Sequence, residues 1–300
     1  MPRVTVCLAV FNGAETLPET LESVQAQTYR DFEVFVLDDG SSDESAAIAR
    51  AFGCTVVSQP NEGLGAARKR MVAEAAGELV AFVDADDTWT PEKLERQVAL
   101  LDASGAALVH SDCWYVYEDG REVPRDLRLP VSAQAFDHII PSNLVIASSA
   151  LFRRQAMLDV GNFVEDTIRC SDWYGWFLLA SRYAFAHLPE KQVRYKVLSS
   201  SLANAGYRFH EAQRYVLRAH ILPRFDELFA RTTAAEKAVY RKLLMRSLGL
   251  ASSSMAKHLD RLGQKMEARP LHLEALRLSP GTLRVWTRLL KNLSPLKKKA

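Results

Sequence analysis

The chain has 300 residues and a mass of 33.6 kDa, with 48% hydrophobic and 25% charged residues and a formal net charge of +2. This is the make-up of a soluble globular protein with ample chain for a sizeable core, and it excludes a disordered, collagen-like or disulfide-scaffold chain. The four cysteines, Cys7, Cys54, Cys113 and Cys170, form no C-x-x-C pair, so they point to a reducing compartment and offer no metal-site spacing.

No stretch approaches the roughly 18 consecutive apolar residues of a membrane-spanning helix. The first apolar run, Val4 to Phe11, lacks a charged leader and a small-residue cleavage pattern, so no signal peptide is expected. The small net charge hides an asymmetry. Residues 207–300 hold 20 Lys/Arg against 7 Asp/Glu, whereas residues 1–206 hold 18 against 29. Such a division predicts two regions with different partners.

Val4–Val10 is a continuous apolar, β-branched run, the pattern of a strand buried on both faces. Ala14–Ala26 follows with Leu17, Leu21 and Val24 at helical spacing. Phe32–Leu37 reads as a second buried strand, Ser45–Phe52 as a helix, Thr55–Ser58 as a third strand, Leu64–Ala76 as a helix and Leu79–Val83 as a fourth strand. Thr90 reads as an N-cap with Pro91 at the first helical position, opening a helix to about Leu101, and Ala107–His110 as another strand. This alternation predicts an α/β fold with a mostly parallel, Rossmann-like sheet and helices on both faces. After Asp112 it breaks. Cys113–Glu118, Asp119-Gly120 and Arg121–Val123 read as a hairpin, Ala133–Ile140 as a short helix, Ser149–Phe152 as a strand, Trp173–Ser181 as a helix and Val193–Val197 as a last strand. From Tyr207 on the pattern is helical, punctuated by Pro223, Gly249, Gly263, Pro270 and Pro280-Gly281. The expected organisation is therefore residues 1–206 as one domain, divided into halves 1–112 and 113–206, followed by a basic helical region, 207–300.

Ligands of such sheets bind at the carboxyl ends of the strands, near a topological switch point. Three strand ends here stand out: Ala9-Val10-Phe11-Asn12-Gly13, Asp38-Asp39-Gly40-Ser41-Ser42-Asp43 and Asp84-Ala85-Asp86-Asp87. Carboxylates gathered at one sheet edge raise one another's pKa unless a cation or hydrogen-bond donors lie among them. All-oxygen ligands suit Mg²⁺ or Mn²⁺, with diphosphate oxygens and waters completing the shell. Singly, D-D-G after a strand reads equally well as a turn with a helix cap, and D-x-D is common. Their order makes the pattern informative: strand, D-D-G-S-S-D, then Asn61-Glu62-Gly63-Leu64-Gly65 entering a helix that carries Arg68, then F-V-D-A-D-D. An Arg one turn inside such a helix can face a phosphate; Lys69 and Arg70 read as its solvated face.

With these segments in view, residues 4–200 resemble the family two inverting glycosyltransferases of the GT-A fold. The matching segments are V-T-V-C-L-A-V-F-N-G, Leu17 to Tyr29, V-L-D-D-G-S-S-D, N-E-G-L-G-A-A-R, F-V-D-A-D-D and A-S-S-A-L-F-R-R, with Gly161-Asn162-Phe163 and Cys170-Ser171-Asp172-Trp173. The resemblance implies a nucleotide-diphospho-sugar donor, UDP-linked by preference, and a saccharide or lipid-linked acceptor. It implies that Ala9 and Phe11 line the nucleoside pocket, that Asp39 accepts from the base with Asp38 beside it, that Arg68 sits near the nucleotide and that Asp84 touches the ribose. It further implies that Asp86 binds Mn²⁺ or Mg²⁺ at the diphosphate, that Asp87 stands at the entry to the next helix or behind the residues that touch the ligands, and that Asp172 is the catalytic base. An inverting transfer needs one base apart from the metal cluster, on the face opposite the leaving group. Asp172 also reads as an N-cap of the helix that follows it. Trp173, Tyr174 and Trp176 read equally as an acceptor-stacking surface and as core. Two departures stand out. Ser171 takes the place of an acid usual before Asp172, and Leu198 stands where a His of the diphosphate site is expected, leaving Lys196 or Ser199–Ser201 as substitutes.

Leu283, Trp286, Leu290 and Leu293 fall on one helix face and Arg284, Arg288 and Lys291 on another, with Lys297–Lys299 beyond. Such a helix either packs on the catalytic domain or lies in an anionic membrane interface. Together with the resemblance it sets the expectation of a cytoplasmic enzyme, peripheral on the inner face of the cell membrane, acting in cell-surface polysaccharide assembly. The alternatives are a non-catalytic nucleotide-sugar or glycan binder, motivated by Ser171 and Leu198, and a nucleotidyltransferase. The latter needs a Gly-rich basic loop after the first strand, which Phe11-Asn12-Gly13-Ala14-Glu15 does not supply. No nucleic-acid module is visible, and no nucleic-acid partner is expected.

Overall fold

The computed structural model describes residues 1–127, 139, 143–167, 169–198 and 207–293. The chain divides into two compact units, residues 1–199 and 200–300. The helix expected over Ala133–Ile140 lies outside the described residues apart from Ile139, as do Ser199–Ser201 and Lys297–Lys299.

The first unit is built on a nine-stranded sheet ordered β3-β2-β1-β4-β8-β6-β9-β5, with β7 paired to β6. β1 (Val4–Val10), β2 (Phe32–Asp38), β3 (Thr55–Ser58) and β4 (Leu79–Phe82) run parallel. In β1, Val4, Val6, Leu8 and Val10 are at most 2% exposed; burial of each contributes about 1.5–3 kcal/mol. Helices α1 (Leu17–Gln25), α2 (Ser45–Ala51) and α3 (Leu64–Glu74) make the crossovers. β1 lies between β2 and β4, so the chain order reverses there and a crevice opens at the carboxyl ends of β1 and β4.

Beyond β4 the sheet is mixed. β8 (Ala150–Arg153) is antiparallel to both β4 and β6 (Leu108–Tyr117), and β6 is parallel to β9 (Phe185–Val197). The two short runs read around Asp112 are one strand, β6, with an irregularity at Ser111–Cys113. Its hairpin partner, β7 (Glu122–Arg125), follows the Asp119-Gly120 turn. The last predicted strand is only the end of β9, whose apolar pattern is interrupted by Pro189-Glu190-Lys191 at the same irregularity.

A two-residue strand, β5 (Thr88–Trp89), went unread because nothing that short carries a period. It pairs with Val193 and Arg194 of β9 and folds Tyr195 and Lys196 back toward the end of β4. It also delays the next helix. Thr90 is not the cap: its amide donates to the Gln192 carbonyl, and α4 (Lys93–Ser104) has Glu92 as its N-cap.

Two helices follow β8. α5 (Arg154–Asp159) continues directly from the strand, and α6 runs Ser171–Ala180, two residues earlier than the apolar pattern indicated. Cys170, at a left-handed φ of 63°, is its N-cap, so Asp172 sits inside the first turn rather than at the cap. A Cβ on Gly175 would stand 2.2 Å from the Phe163 ring, so only glycine lets α6 settle there. Trp176 meets Phe82, Phe152 and Phe163 at ring-centroid distances of 6.2, 5.4 and 6.1 Å. Trp173, Tyr174 and Trp176 are at most 1% exposed, and both indole N–H groups donate to buried carbonyls, of Ile139 and Val145. They are core, not a sugar-stacking surface.

The second unit is helical. α7 (Tyr207–Val216), α8 (Phe225–Leu228), α9 (Ala234–Arg261), α10 (Lys265–Leu278) and α11 (Leu283–Leu293) follow in order. Thr233 and Glu236 close a capping box at the start of α9. Gly249 and Pro270 lie inside α9 and α10 rather than between helices.

Candidate active site

The crevice is shaped first by its loops. The register Val10↔Asp38 sets the ends of β1 and β2 side by side. The loops beyond them are laced together: Asn12 N donates to Ser41 Oγ at 2.9 Å, Ser42 N to Asn12 Oδ1 at 2.8 Å and Ala14 N to Asp43 Oδ2 at 3.0 Å. Gly40, at φ +83°, passes so close to the next loop that a Cβ would lie 2.8 Å from Asn61 N. At this edge Ala9 is half-buried and Phe11 is 53% exposed, so the ring stands open at the end of β1.

Asp38 and Asp39 are both buried, but they do different work. Asp38 Oδ1 accepts from Ser41 N at 3.0 Å and holds its own turn. Asp39 clamps the loop before α3, accepting from Gln59 Nε2 at 2.8 Å, Glu62 N at 3.0 Å and Gly63 N at 2.9 Å. A carboxylate has room for about four such bonds, so one acceptor position is left for a ligand. Because three donors end on this one carboxylate, Asp39→Asn is expected to lose about 1.5–3 kcal/mol of stability in chemical denaturation. Unchanged stability would show that Asp39 does not hold this loop.

Asp84, Asp86 and Asp87 occupy the tight turn after β4, closed by Asp87 N on the Asp84 carbonyl at 3.0 Å. Asp87 is fully buried. It accepts from Ser148 Oγ and, at 2.9 Å, from Lys196 N, tying the end of β9 to the turn. Burial, then the neighbouring Asp84 and Asp86, push it well above the usual carboxylate range. Asp86 is pushed up to about 6 by burial and by Asp84, with Lys196 the nearest compensating cation. That ammonium is already paired with Glu19. Ser148 also accepts from Asp84 N at 3.0 Å, so one hydroxyl holds two members of the turn.

Arg68 is where the two sides of the crevice meet. Its guanidinium is buried against the Phe82 ring, 5.6 Å from the centroid. It donates to Asp84 Oδ1 at 3.2 Å and to Ser171 Oγ at 2.8 Å, and lies 3.9 Å from Asp172 Oδ1. The helix position expected for a phosphate-facing cation thus serves to brace Asp84 and α6. Ser171, where an acid was expected, supplies one of its acceptors. Asp172 also accepts from Asn143 Nδ2 at 2.6 Å. Burial raises the Asp172 carboxyl above the ordinary range, against the opposing pull of Arg68, the Trp173 amide and Asn143.

Among the described residues no group of three or more His, Cys, Asp and Glu side chains forms a metal cage. The acidic turn nevertheless suits a hard divalent ion that keeps waters and phosphate oxygens as ligands. Asp86, half-buried and raised by that burial and by Asp84, is the carboxyl whose charge such an ion would restore. Ser148, Asn143 and Tyr195 were not singled out from the sequence. Ser148 lies in the A-S-S-A segment, but a serine there gives no sign of its partners. Asn143 precedes no recognisable pattern. Tyr195 was one residue of the strand-end run, and its phenol is raised by burial and then by Asp87 and Asp84.

Known proteins resemble this chain in sequence and in fold. A model of the family described as "Glycosyl transferase family 2" matches residues 5–161. The succinoglycan biosynthesis protein ExoO of Rhizobium meliloti (strain 1021) is 26% identical over 292 residues, 90% of this chain and 73% of that protein. Glycosyltransferase AglE of Haloferax volcanii is 28% identical over 180 residues, 57% of this chain and 59% of that one. Among solved structures, S. aureus TarS 1-349 in complex with UDP-GlcNAc shares the fold at a TM-score of 0.62, with 18% identity over 97% of this chain and 89% of that one. The mannosyltransferase PcManGT from Pyrobaculum calidifontis, in complex with GDP-Man and Mn²⁺, does so at 0.55, with 19% identity over 97% and 84%. With the family model spanning just over half of its length, including the ends of β1, β2 and β4, the chain belongs to glycosyl transferase family 2.

Proposed function

We propose that the protein is a metal-dependent inverting glycosyltransferase, moving a sugar from a nucleotide-diphospho-sugar, UDP-linked by preference, to a saccharide or lipid-linked acceptor in polysaccharide biosynthesis. One observation carries this reading: Asp84 and Asp172 flank the same guanidinium, at 3.2 and 3.9 Å, so a base stands apart from the acidic turn yet beside it. The printed ligands of the structural neighbours, UDP-GlcNAc and GDP-Man with Mn²⁺, support a nucleotide-sugar donor, and the name of ExoO supports a polysaccharide product.

In this mechanism Phe11 and Ala9 flank the base, Asp39 accepts from it and Asp84 meets the ribose. A divalent cation at Asp86 would neutralise the diphosphate charge that grows as the glycosidic C–O bond breaks. Asp172 takes the acceptor hydroxyl's proton as its oxygen bonds to the anomeric carbon from the opposite face. Asn143 and Arg68 hold the two carboxylate oxygens of Asp172 still, which keeps the base oriented. A single in-line displacement inverts the anomeric centre.

The test is to incubate the full chain and Mn²⁺ with a panel of UDP- and GDP-sugars, and to follow nucleotide release and the anomeric configuration of the sugar by NMR. Slow donor hydrolysis with inversion is expected for at least one UDP-sugar. Binding of donors with no turnover of any favours the non-catalytic alternative, and retention of configuration rules out the assigned role of Asp172.

A further inference from the structure

The second unit contains a surface that the transfer reaction does not use. Along α11, Val285, Leu289 and Asn292 are buried and form the helix's inner side. Leu283, Trp286, Leu290 and Leu293 are 77%, 43%, 61% and 54% exposed. At about 100° per residue these four fall on one flank of the buried line, and Arg284, Arg288 and Lys291 fall on the other. The two flanks meet on the outer surface along the line of Thr287, so the side turned away from α9 and α10 is half aliphatic and half cationic.

The cationic flank is extended by α9. Arg288 Nη1 donates to Ser253 Oγ at 2.9 Å and approaches Ser254 Oγ at 3.4 Å, bringing the basic side of α11 against the end of α9. One and two turns beyond Ser253 on that face stand Lys257 and Arg261. Lys257 is lowered by Arg261 and Arg288 first, with Arg284 and Lys291 adding to them, so the five charges share one field. None of the five forms an ion pair with a described acid. The nearest acid in sequence, Asp260, is taken by His272 at 2.8 Å and Asn292 at 2.6 Å, and no acidic residue follows Glu274 in the chain.

We propose that this face of α9 and α11 docks on an anionic lipid bilayer, with the leucines and Trp286 entering the acyl boundary and the five cations meeting headgroup phosphates. Charge complementarity selects the occupant. A row of unneutralised cations beside a row of exposed leucines matches both layers of a bilayer interface. A nucleic acid would answer the cations and leave the leucines in water. A protein groove would need to be apolar on one wall and acidic on the other.

Flotation of the full chain with vesicles tests this. Binding is expected to 7:3 phosphatidylcholine:phosphatidylglycerol vesicles and to fall steeply when salt is raised to roughly 0.5 M. On phosphatidylcholine alone it should be at least tenfold weaker. K257Q/R261Q/K291Q should weaken binding by roughly a hundredfold, and L283Q/L290Q at least tenfold; circular dichroism and melting establish that both variants are folded. Equal binding to neutral vesicles, flotation unchanged in both folded variants, or capture by an RNA duplex without vesicle binding would each overturn the proposal. The readout involves no sugar transfer, so either outcome leaves the proposed reaction standing or falling on its own assay.

Discussion

Asp172→Asn is expected to fold, to bind the nucleotide-sugar with near-native affinity, and to turn over about 10²–10⁴ times more slowly, the usual contribution of a general base. The substitution keeps the side chain's size and one oxygen able to accept from Asn143, while removing its basicity. It also removes one of the two carboxylates facing Arg68, but Asp84 and Ser171 remain as acceptors for that guanidinium. The wild-type pH profile supplies a second readout. The base works only when ionised, and burial lifts its pKa above the ordinary aspartate value. The rate should therefore fall on the acid side at a higher pH than an exposed aspartate would give, and that limb should vanish in the Asn variant. If donor binding collapses instead and turnover per bound donor is kept, Asp172 is a binding residue. The base would then be sought at Asp166 or Glu165, of which Glu165 is already paired with Lys69 at 2.7 Å.

The half of the crevice formed by the ends of β1, β2 and β4 was legible because its signals are local. Val4–Val10 is a β-branched run, apolar but for Thr5, which suits a strand buried on both faces, and the D-D-G and D-A-D-D turns follow strands directly. The boundaries predicted for β1, β2, β3 and β4 lie within one residue of those observed. The other half, from β5 to α6, was less legible because long-range pairing decides it. β5 exists only because β9 lies beside it, and that pairing displaces the start of α4 past Thr90 and Pro91. α6 begins earlier than its apolar run because Cys170 turns the chain and Ser171 and Asp172 are held by Arg68 of α3.

The same distinction separates what a local pattern tells of a residue from what its distant partners tell. Arg68 was read as a cation one turn into a helix, which is a local statement. That its partners are two carboxylates and a serine, 16 to 104 positions away, is not. Ser171 looked like a loss of acidity at the site. In the structure a hydroxyl there accepts from Arg68 without adding a third negative charge beside Asp84 and Asp172, which are already crowded. Trp173, Tyr174 and Trp176 were evenly balanced between stacking surface and core, and burial decided for the core, with Gly175 fixing how closely α6 approaches Phe163.

Asp86→Ala is expected to abolish the effect of Mn²⁺ on nucleotide binding and to lower turnover by about a thousandfold or more, the scale of several kcal/mol that a Lewis acid contributes to a departing diphosphate. In the absence of a cation the Asp86 carboxyl is raised to about 6, because it is buried and faces Asp84. A cation binds the ionised form, so protons compete with it. Below about pH 6 the apparent Mn²⁺ affinity in the presence of UDP should fall, approaching tenfold per pH unit, and above that pH it should level off. The direction follows from the sign of the shift: a carboxyl raised in the folded protein holds its proton to higher pH than a free aspartate, so cation binding is lost earlier on acidification. Calorimetry of UDP with Mn²⁺, and then with EDTA, at pH 5 to 8 checks each part. Equal UDP affinity with and without Mn²⁺, or a metal effect surviving in Asp86→Ala, would remove Asp86 from the metal site. An effect lost in Asp84→Asn but kept in Asp86→Ala would move the ligand two residues back along the turn, where Arg68 holds only Oδ1 of Asp84, at 3.2 Å.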